Sequence, residues 1–208
     1  FAFQSDLSWG KTGAVTFYES PVEIFRSKFS NNNSEDALNI VRSDFLIRET
    51  LFTKVFLDAF DADFCKGRII NASFLDCGND AIDVSGSTVE LKNISILGAG
   101  DKGVSVGERS LVKANSIDIK GVKIAIASKD TSELNIDSVK LSECEVGLAV
   151  YQKKAEFGPA SIKALGLTMD RVKVPYLIEQ RSILKVEGRR VKSDQEFTEK
   201  FLSKYIER

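Results

Sequence analysis

Aspartates are concentrated in two short stretches of the chain that lie 22 residues apart. The five residues are Asp58, Asp61, Asp63, Asp80 and Asp83. Two carboxyl groups about 5 Å apart can act as acid and nucleophile in the hydrolysis of a sugar linkage. Clustered carboxylate oxygens are also the ligands that Ca²⁺ prefers. Either chemistry requires the two stretches to be neighbours in space, so the fold decides whether these residues form a site.

An apolar repeat of the same period indicates how the two stretches become neighbours. Six apolar residues recur at intervals of 22, namely Leu38, Phe60, Ile82, Val104, Ile126 and Leu148. Around each of them, apolar and variable positions alternate with period two, which is the pattern of a strand with one buried face. A strand that recurs at this short period leaves no room for a crossover helix, so the chain must coil into a solenoid. The sequence predicts an all-β fold, a single-stranded parallel β-helix.

Stacking in register converts the period into columns of side chains. If the apolar repeat positions point inward, the residues that follow them, Asp61 and Asp83, point outward, and Asp63 lies two residues further along its strand. Like charges side by side on neighbouring strands destabilise a sheet, by about 1 kcal/mol for each pair. The arrangement therefore predicts compensation by a bound cation, by a raised carboxyl pKa, or by basic side chains such as Lys102 and Lys129.

A second group of polar residues continues the same face. Its members are Lys102, Glu108, Lys129, Asp130, Tyr151 and Lys153. Carboxylates and ammonium groups can bond to sugar hydroxyls, and an exposed tyrosine can stack on the flat side of a sugar ring. The combination is chemically suited to binding a sugar chain, although an ordinary solvated face can also carry mixed charge.

The acidic residues also have simpler structural explanations. Asp36, Asp58 and Asp80 fall just before strands, where an Asp side chain can accept hydrogen bonds from turn amides. The outward carboxylates could be merely solvated. Asp61 and Asp83 are less easily explained in this way, because aspartate is disfavoured in the middle of a strand. A conflict between local propensity and position is expected at functional sites.

Composition excludes several classes of function. The formal net charge is −1, so electrostatics does not favour a nucleic-acid partner. The chain has no histidine, which excludes Ser-His-Asp and Cys-His nucleophiles and histidine-bound metals. No apolar run reaches the roughly 20 residues of a membrane-spanning helix. The three cysteines, Cys65, Cys77 and Cys144, fit no zinc module and are predicted to be buried and unpaired.

The end of the chain differs from the repeat. Residues 1–192 are predicted to form the β-helix, and residues 193–208 an amphipathic helix that caps the solenoid. Ser193-Asp-Gln-Glu196 matches a capping box. The apolar residues of one helical face are Phe197, Phe201, Leu202 and Tyr205. Docking of a partner is the alternative role. Because the chain begins at Phe1 without a leader pattern, we expect a fragment of a longer protein, whose other domains are candidate partners.

Two segments resemble a known group of proteins. Asp76-Cys-Gly-Asn-Asp-Ala-Ile-Asp-Val-Ser and Gly147-Leu-Ala-Val are similar to the repeat units of the right-handed parallel β-helix proteins of the pectate-lyase-like superfamily. The resemblance implies right-handed coiling. Many members bind, cleave or epimerise acidic polysaccharides outside the cytoplasm, some with calcium held by carboxylates. For a lyase, the resemblance implies a Lys or Arg base beside a carboxylate-bound cation, a role open to Arg42, Lys102 and Lys129.

The sequence therefore predicts a domain that binds or processes a polysaccharide, with lyase-, hydrolase- or epimerase-like activity on an acidic glycan. The candidate catalytic residues are Asp61, Asp83, Lys102 and Lys129. The candidate substrate-binding residues are Asp63, Glu108, Asp130, Tyr151 and Lys153. The candidate calcium ligands are Asp61, Asp63, Asp80 and Asp83. The alternative function is a non-catalytic structural or adhesion module of a larger cell-envelope protein. The expected location is extracellular, periplasmic or at the cell surface.

Overall fold

The computed structural model describes residues 13–192 together with Thr198, Lys200 and Leu202. This part of the chain is a parallel β-solenoid of about eight coils. The first strands are β1 (Gly13–Tyr18), β2 (Val22–Phe25), β3 (Lys28–Ser30), β4 (Asp36–Val41), β5 (Asp44–Arg48), β6 (Leu51–Val55), β7 (Asp58–Asp63), β8 (Lys66–Cys77) and β9 (Ile82–Ser85). They are followed by β10 (Thr88–Gly107), β11 (Leu111–Lys129), β12 (Glu133–Ser142), β13 (Val146–Tyr151), β14 (Ser161–Asp170), β15 (Val174–Ile178), β16 (Ile183–Val186) and β17 (Arg189–Arg190).

Strands of successive coils pair in parallel and form three faces. The first face, called the first sheet below, contains β1, β4, β7, β9, the ends of β10 and β11, β13 and β15. The second sheet begins with β2 and β5 and the third with β3 and β6, and β8 runs through both. Only the terminal pair of the described part, β16 with β17, is antiparallel.

The predicted 22-residue period is confirmed by the strand register. In the first sheet Leu38 pairs with Phe60, Phe60 with Ile82, and Ile82 with Val104. The pairing continues through Ile126 to Leu148. All six side chains are at most 2% exposed, so this column forms the spine of the hydrophobic core.

The bend between the second and third sheets is made by residues in the left-handed backbone region. The φ angles of these residues lie between 54° and 64°, and the residues are Asn71, Asn93, Ser116, Ser138 and Gly166. The Asn93 side-chain amide donates to Asn71 Oδ1 at 2.9 Å. Asparagine and glycine adopt this conformation more readily than other residues, so the recurrence of Asn in this bend has a backbone cause.

Aromatic rings stack along the third sheet inside the solenoid. The ring centroids of Phe29 and Phe52 are 4.9 Å apart, and those of Phe52 and Phe74 are 4.7 Å apart. Replacement of one such buried ring with alanine typically costs about 3–5 kcal/mol. The prediction for the cysteines is confirmed, because all three are buried and free.

The predicted capping helix at 193–208 lies almost entirely outside the described residues, and no helical element is defined within them. Of this segment, Leu202 is 1% exposed and belongs to an apolar cluster with Ile124, Ala149 and Leu177. These partners lie on the outer surface of the first sheet. Leu202 therefore packs on the flank of the solenoid. The sequence had instead predicted that this segment would cover the end of the solenoid.

Candidate functional site

The outer surface of the first sheet carries three columns of side chains, each with one residue per coil. The leading column contains Asp36, Asp58, Asp80, Lys102, Ile124, Val146 and Val174. The central column contains Asn39, Asp61, Asp83, Ser105, Ala127, Ala149 and Leu177. The trailing column contains Val41, Asp63, Ser85, Gly107, Lys129 and Tyr151. In the leading and central columns, polar residues occupy the earlier coils, up to Lys102 and Ser105, and apolar residues occupy the later ones. The candidate site therefore lies in the earlier coils of this sheet.

Asp61 and Asp83 are paired residues of adjacent strands in the central column, as the sequence predicted. The Asn39 side-chain amide donates to Asp61 Oδ2 at 2.7 Å. Burial, followed by repulsion from Asp63 and Asp83, raises the pKa of Asp61 to about 9. At neutral pH Asp61 is therefore a carboxylic acid that can donate a proton.

Asp83 has a different electrostatic environment from Asp61. Lys129 Nζ lies 3.8 Å from Asp83 Oδ2, and the lysine reaches this point from two coils away. Gly107 makes the approach possible, since a Cβ at that position would lie 2.9 Å from Lys129 Cε. Burial alone would lower the pKa of Lys129, but attraction to Asp83 and Tyr151 outweighs it and raises the pKa. The ammonium group therefore stays charged and compensates the Asp83 carboxylate.

Lys102 is held in a second buried charge cluster. Its Nζ lies 3.5 Å from Asp80 Oδ1 and also bonds to Asp101, which in turn lies 3.3 Å from Lys123 Nζ. Burial acts to lower the pKa of Lys102, but attraction to Asp80, Tyr151 and Asp101 raises it. A lysine with a raised pKa does not release its proton readily, which works against the predicted role of Lys102 as a base.

Two of the leading-column aspartates, Asp58 and Asp80, accept hydrogen bonds from backbone amides, as the turn interpretation predicted for them. Asp58 Oδ1 accepts hydrogen bonds from Asn79 Nδ2 at 2.7 Å and from the Asp80 amide at 2.8 Å. Asp80 Oδ1 accepts one from the Lys102 amide at 2.9 Å. These bonds join successive coils at the start of their first-sheet strands.

Several predicted substrate-binding residues have structural roles. Asp130 is 1% exposed, and its Oδ1 accepts hydrogen bonds from the amides of Lys153 and Lys154 at 2.6 and 2.8 Å. Glu108 pairs with the Lys154 ammonium group. The prediction of an exposed Tyr151 was wrong, because its side chain is fully buried and part of the cluster that contains Leu202. Burial removes Tyr151 from direct stacking on a sugar.

Of the five buried polar atoms that have no hydrogen-bond partner in the described part of the chain, three lie in the outer columns of the first sheet. They are Asp83 Oδ1, Ser105 Oγ and Tyr151 Oη. Buried polar atoms of native proteins are nearly always paired with protein or water. Each buried polar atom that is left unpaired costs about 1–3 kcal/mol of stability.

The predicted calcium site gains no support from the geometry. Within the described residues, no group of three or more His, Cys, Asp or Glu side chains is placed to hold a metal ion. Asp61 has one oxygen bonded to Asn39, and Asp80 has one oxygen bonded to the Lys102 amide. A calcium ion bound by Asp61, Asp63, Asp80 and Asp83 stays a prediction.

Two grooves lie on another face of the solenoid. Their volumes are about 430 and 830 Å³, and both follow the outer surface of the second sheet. Glu90, Lys113 and Asn135 line both of them. The acidic residues that line these grooves, such as Glu90 and Asp137, are exposed, whereas Asp61 and Asp83 are partly buried, so the first sheet remains the candidate site. No described helix is long and apolar enough to cross a membrane.

Sequence reasoning missed four residues that build the site. Asn39 orients Asp61, and Gly107 leaves room for the Lys129 side chain. Asp101 pairs with Lys102, and Ser105 contributes a hydroxyl that has no partner in the described part of the chain. The 22-residue period placed Asn39, Ser105 and Gly107 in the right columns. No signal in the sequence linked Asp101 to Lys102 beyond their adjacency.

Comparison with known proteins gives limited information. No family model matches the chain, and no curated protein matches it. Among solved structures it is similar to the catalytic domain of a GH87 α-1,3-glucanase in complex with nigerose, with a TM-score of 0.38 and 9% sequence identity. The match covers 85% of this chain and 46% of that one, so this chain spans about half the length of the glucanase domain.

Proposed function

We propose that this protein processes a polysaccharide through the carboxyl pair Asp61 and Asp83 on the outer surface of the first sheet. The observation that carries the proposal is the contrast between these neighbours. Asp61 has a pKa of about 9, whereas Asp83 has an ammonium group 3.8 Å away. Paired titratable groups held in environments that separate their protonation states are the arrangement used for acid and nucleophile roles.

The spacing of the pair favours hydrolysis with retention of configuration. Neighbouring strands lie about 4.8 Å apart, close to the about 5–5.5 Å that separates the carboxyl groups of retaining glycosidases. Asp61 donates its proton to the oxygen of the sugar linkage while the Asp83 carboxylate attacks the anomeric carbon. The ionised Asp61 then takes a proton from the water that releases the sugar from Asp83. The hydrogen bond that the Asn39 side-chain amide donates to Asp61 stabilises the Asp61 carboxylate that exists between these two steps.

The charge distribution favours a neutral glycan over the acidic one that the sequence predicted. Lys102 and Lys129 are buried and already paired with carboxylates, so they do not neutralise a bound uronate. Asp63, beside Asp61, adds further negative charge that would repel a uronate. A lyase mechanism also needs a deprotonated base, and the raised pKa of both lysines opposes that role.

Two further proposals accompany this function, one on the superfamily of the chain and one on its location. We assign the chain to the pectate-lyase-like superfamily on the strength of its repeat segments, and we place it outside the cytoplasm or at the cell surface, where most polysaccharides occur. Loss of the proposed function would remove the reason for the second of these proposals.

The test is release of reducing ends from a panel of purified polysaccharides by the wild type, Asp61→Asn, Asp83→Asn and the control Asp118→Asn. We expect activity on a neutral glycan, a loss of about 10²–10⁴-fold in kcat for each pair variant, and no change for the control, whose side chain is 55% exposed. Addition of a chelator tests the calcium prediction in the same assay. Full activity of Asp61→Asn would refute the assigned mechanism.

The alternative is a non-catalytic structural or adhesion module, in which the carboxyl pair only shapes the surface. It is favoured if the wild type releases no reducing ends from any neutral or acidic polysaccharide in the panel. In that case Asp61→Asn and Asp83→Asn should change only the stability of the solenoid.

A further inference from the structure

Phe64 is an exposed aromatic side chain at the edge of the first sheet, next to the carboxyl pair. It follows Asp63 directly and is 59% exposed. Its position is three residues along the chain from Asp61, which corresponds to about 10 Å in an extended backbone. A sugar chain held at Asp61 therefore has a neighbouring unit within reach of the Phe64 ring.

The backbone at Phe64 is unfavourable for a bulky residue. Its φ is 55°, in the left-handed region where glycine is preferred and where other residues cost roughly 1–2 kcal/mol. The same turn in the next coil is occupied by Gly86, with φ 61°. The same turn has a positive φ in other coils, at Arg42 and Glu108 for example, so the conformation belongs to the coil. What distinguishes Phe64 is a large apolar ring that is left 59% exposed at this turn.

The ring of Phe64 is supported on one side and open on the other. A Cβ on Gly86 would lie 2.7 Å from the Phe64 ring, so the absence of a side chain there lets the ring rest against the next coil. Within the described residues, neither another aromatic ring nor a guanidinium group stacks on Phe64. Phe25, by contrast, is 47% exposed but has Arg26 and Arg48 over its ring.

Polar and aromatic groups extend this edge towards the first coil. Arg42 occupies the same turn one coil earlier, and its guanidinium donates to the Tyr18 hydroxyl at 3.2 Å. Tyr18 is 45% exposed. Two open rings are thus separated by two coil spacings, about 10 Å, with a guanidinium between them that can bond to hydroxyls.

We propose that Phe64, resting on Gly86, is the stacking platform of a sugar subsite, and that Arg42 and Tyr18 continue the subsite along the solenoid axis. The ligand is a neutral glycan chain, whose rings offer C–H groups to the aromatic faces and hydroxyls to Arg42 and Asp63. The inference rests on the proposed function, because it places the glycan next to Asp61 and Asp83.

The experiment is affinity electrophoresis in gels that contain laminarin, dextran, mannan or xylan, with pectate and alginate as acidic polymers. We compare the wild type with Phe64→Ala, Phe64→Asn, Phe64→Tyr and the matched control Phe25→Ala. A neutral polymer should retard the wild type, and the dissociation constant should rise about tenfold or more for Phe64→Ala and Phe64→Asn. Phe64→Tyr and Phe25→Ala should bind as the wild type does.

Stability separates a binding role from a structural one. Phe64→Asn should be at least as stable as the wild type because Asn tolerates the left-handed conformation, so its loss of affinity would not reflect unfolding. Equal retardation of Phe64→Ala and Phe25→Ala would overturn the subsite, as would a wild type that no polymer retards. The proposed catalytic pair is judged separately, since Asp61→Asn should lose turnover while it still binds in the gel.

Discussion

The raised pKa of Asp61 makes a testable prediction about stability. In the folded protein this carboxyl has a pKa of about 9, against about 3.9 in an unfolded chain. Between these values the folded state holds a proton that the unfolded state has released. The contribution of Asp61 is therefore fully present below the unfolded pKa and is lost as the pH rises through the folded pKa. Asp61→Asn removes this dependence.

The magnitude follows from proton linkage. One extra proton bound by the folded state lowers the free energy of unfolding by about 1.4 kcal/mol for each pH unit. The free energy of unfolding of Asp61→Asn, relative to that of the wild type, should then increase by about 2.7 kcal/mol between pH 5.5 and pH 7.5. The amide also keeps the local bonding, since its oxygen can accept from Asn39 as Asp61 Oδ2 does at 2.7 Å.

The assay is urea unfolding of both proteins at four pH values from 5.5 to 7.5, with Asp118→Asn as the control. Asp118 pairs with Lys140 at 3.9 Å on the surface, and its loss should change stability by less than about 1 kcal/mol at every pH. The free energies of unfolding of Asp61→Asn and the wild type could differ by the same amount at every pH. Such a result would show that Asp61 is ionised in the folded protein from pH 5.5 to 7.5. That result would refute the assignment of Asp61 as the acid.

Two further substitutions test how the site is built. Tyr151→Phe removes a buried hydroxyl that has no partner among the described residues, so the free energy of unfolding should stay the same or rise by about 1 kcal/mol in a thermal melt. A clear loss of stability would mean that the hydroxyl makes a hydrogen bond. Gly107→Ala places a Cβ 2.9 Å from Lys129 Cε, which should move the lysine away from Asp83, reduce stability by about 1–2 kcal/mol and lower turnover. Unchanged stability and turnover in Gly107→Ala would contradict the path assigned to Lys129.

Much of the fold was predictable because a solenoid repeats one local rule. The spacing of Leu38 and Phe60 fixed the length of a coil, and period-two alternation fixed which side chains point inward. From these two facts the neighbours Asp61 and Asp83 followed without further information. The turn role of Asp58 was also predictable, because the hydrogen bonds involved lie within adjacent coils.

Burial across the outer surface could not be predicted in the same way. Tyr151 and Asp61 both point outward by register, yet Tyr151 is fully buried in a cluster that includes Leu202. Leu202 is far from Tyr151 in the chain and outside the repeat, so no period relates them. Likewise, Lys129 reaches Asp83 across two coils only because Gly107 has no side chain.

The sequence by itself determined the coil, its register and the juxtaposition of the aspartates, since these depend on the spacing of residues along one repeating path. Only the tertiary structure decided which groups are shielded from water and which charges meet. Desolvation and ion pairing depend on atoms brought together from distant parts of the chain. Those two effects make Asp61 an acid and hold Lys102 and Lys129 as buried cations.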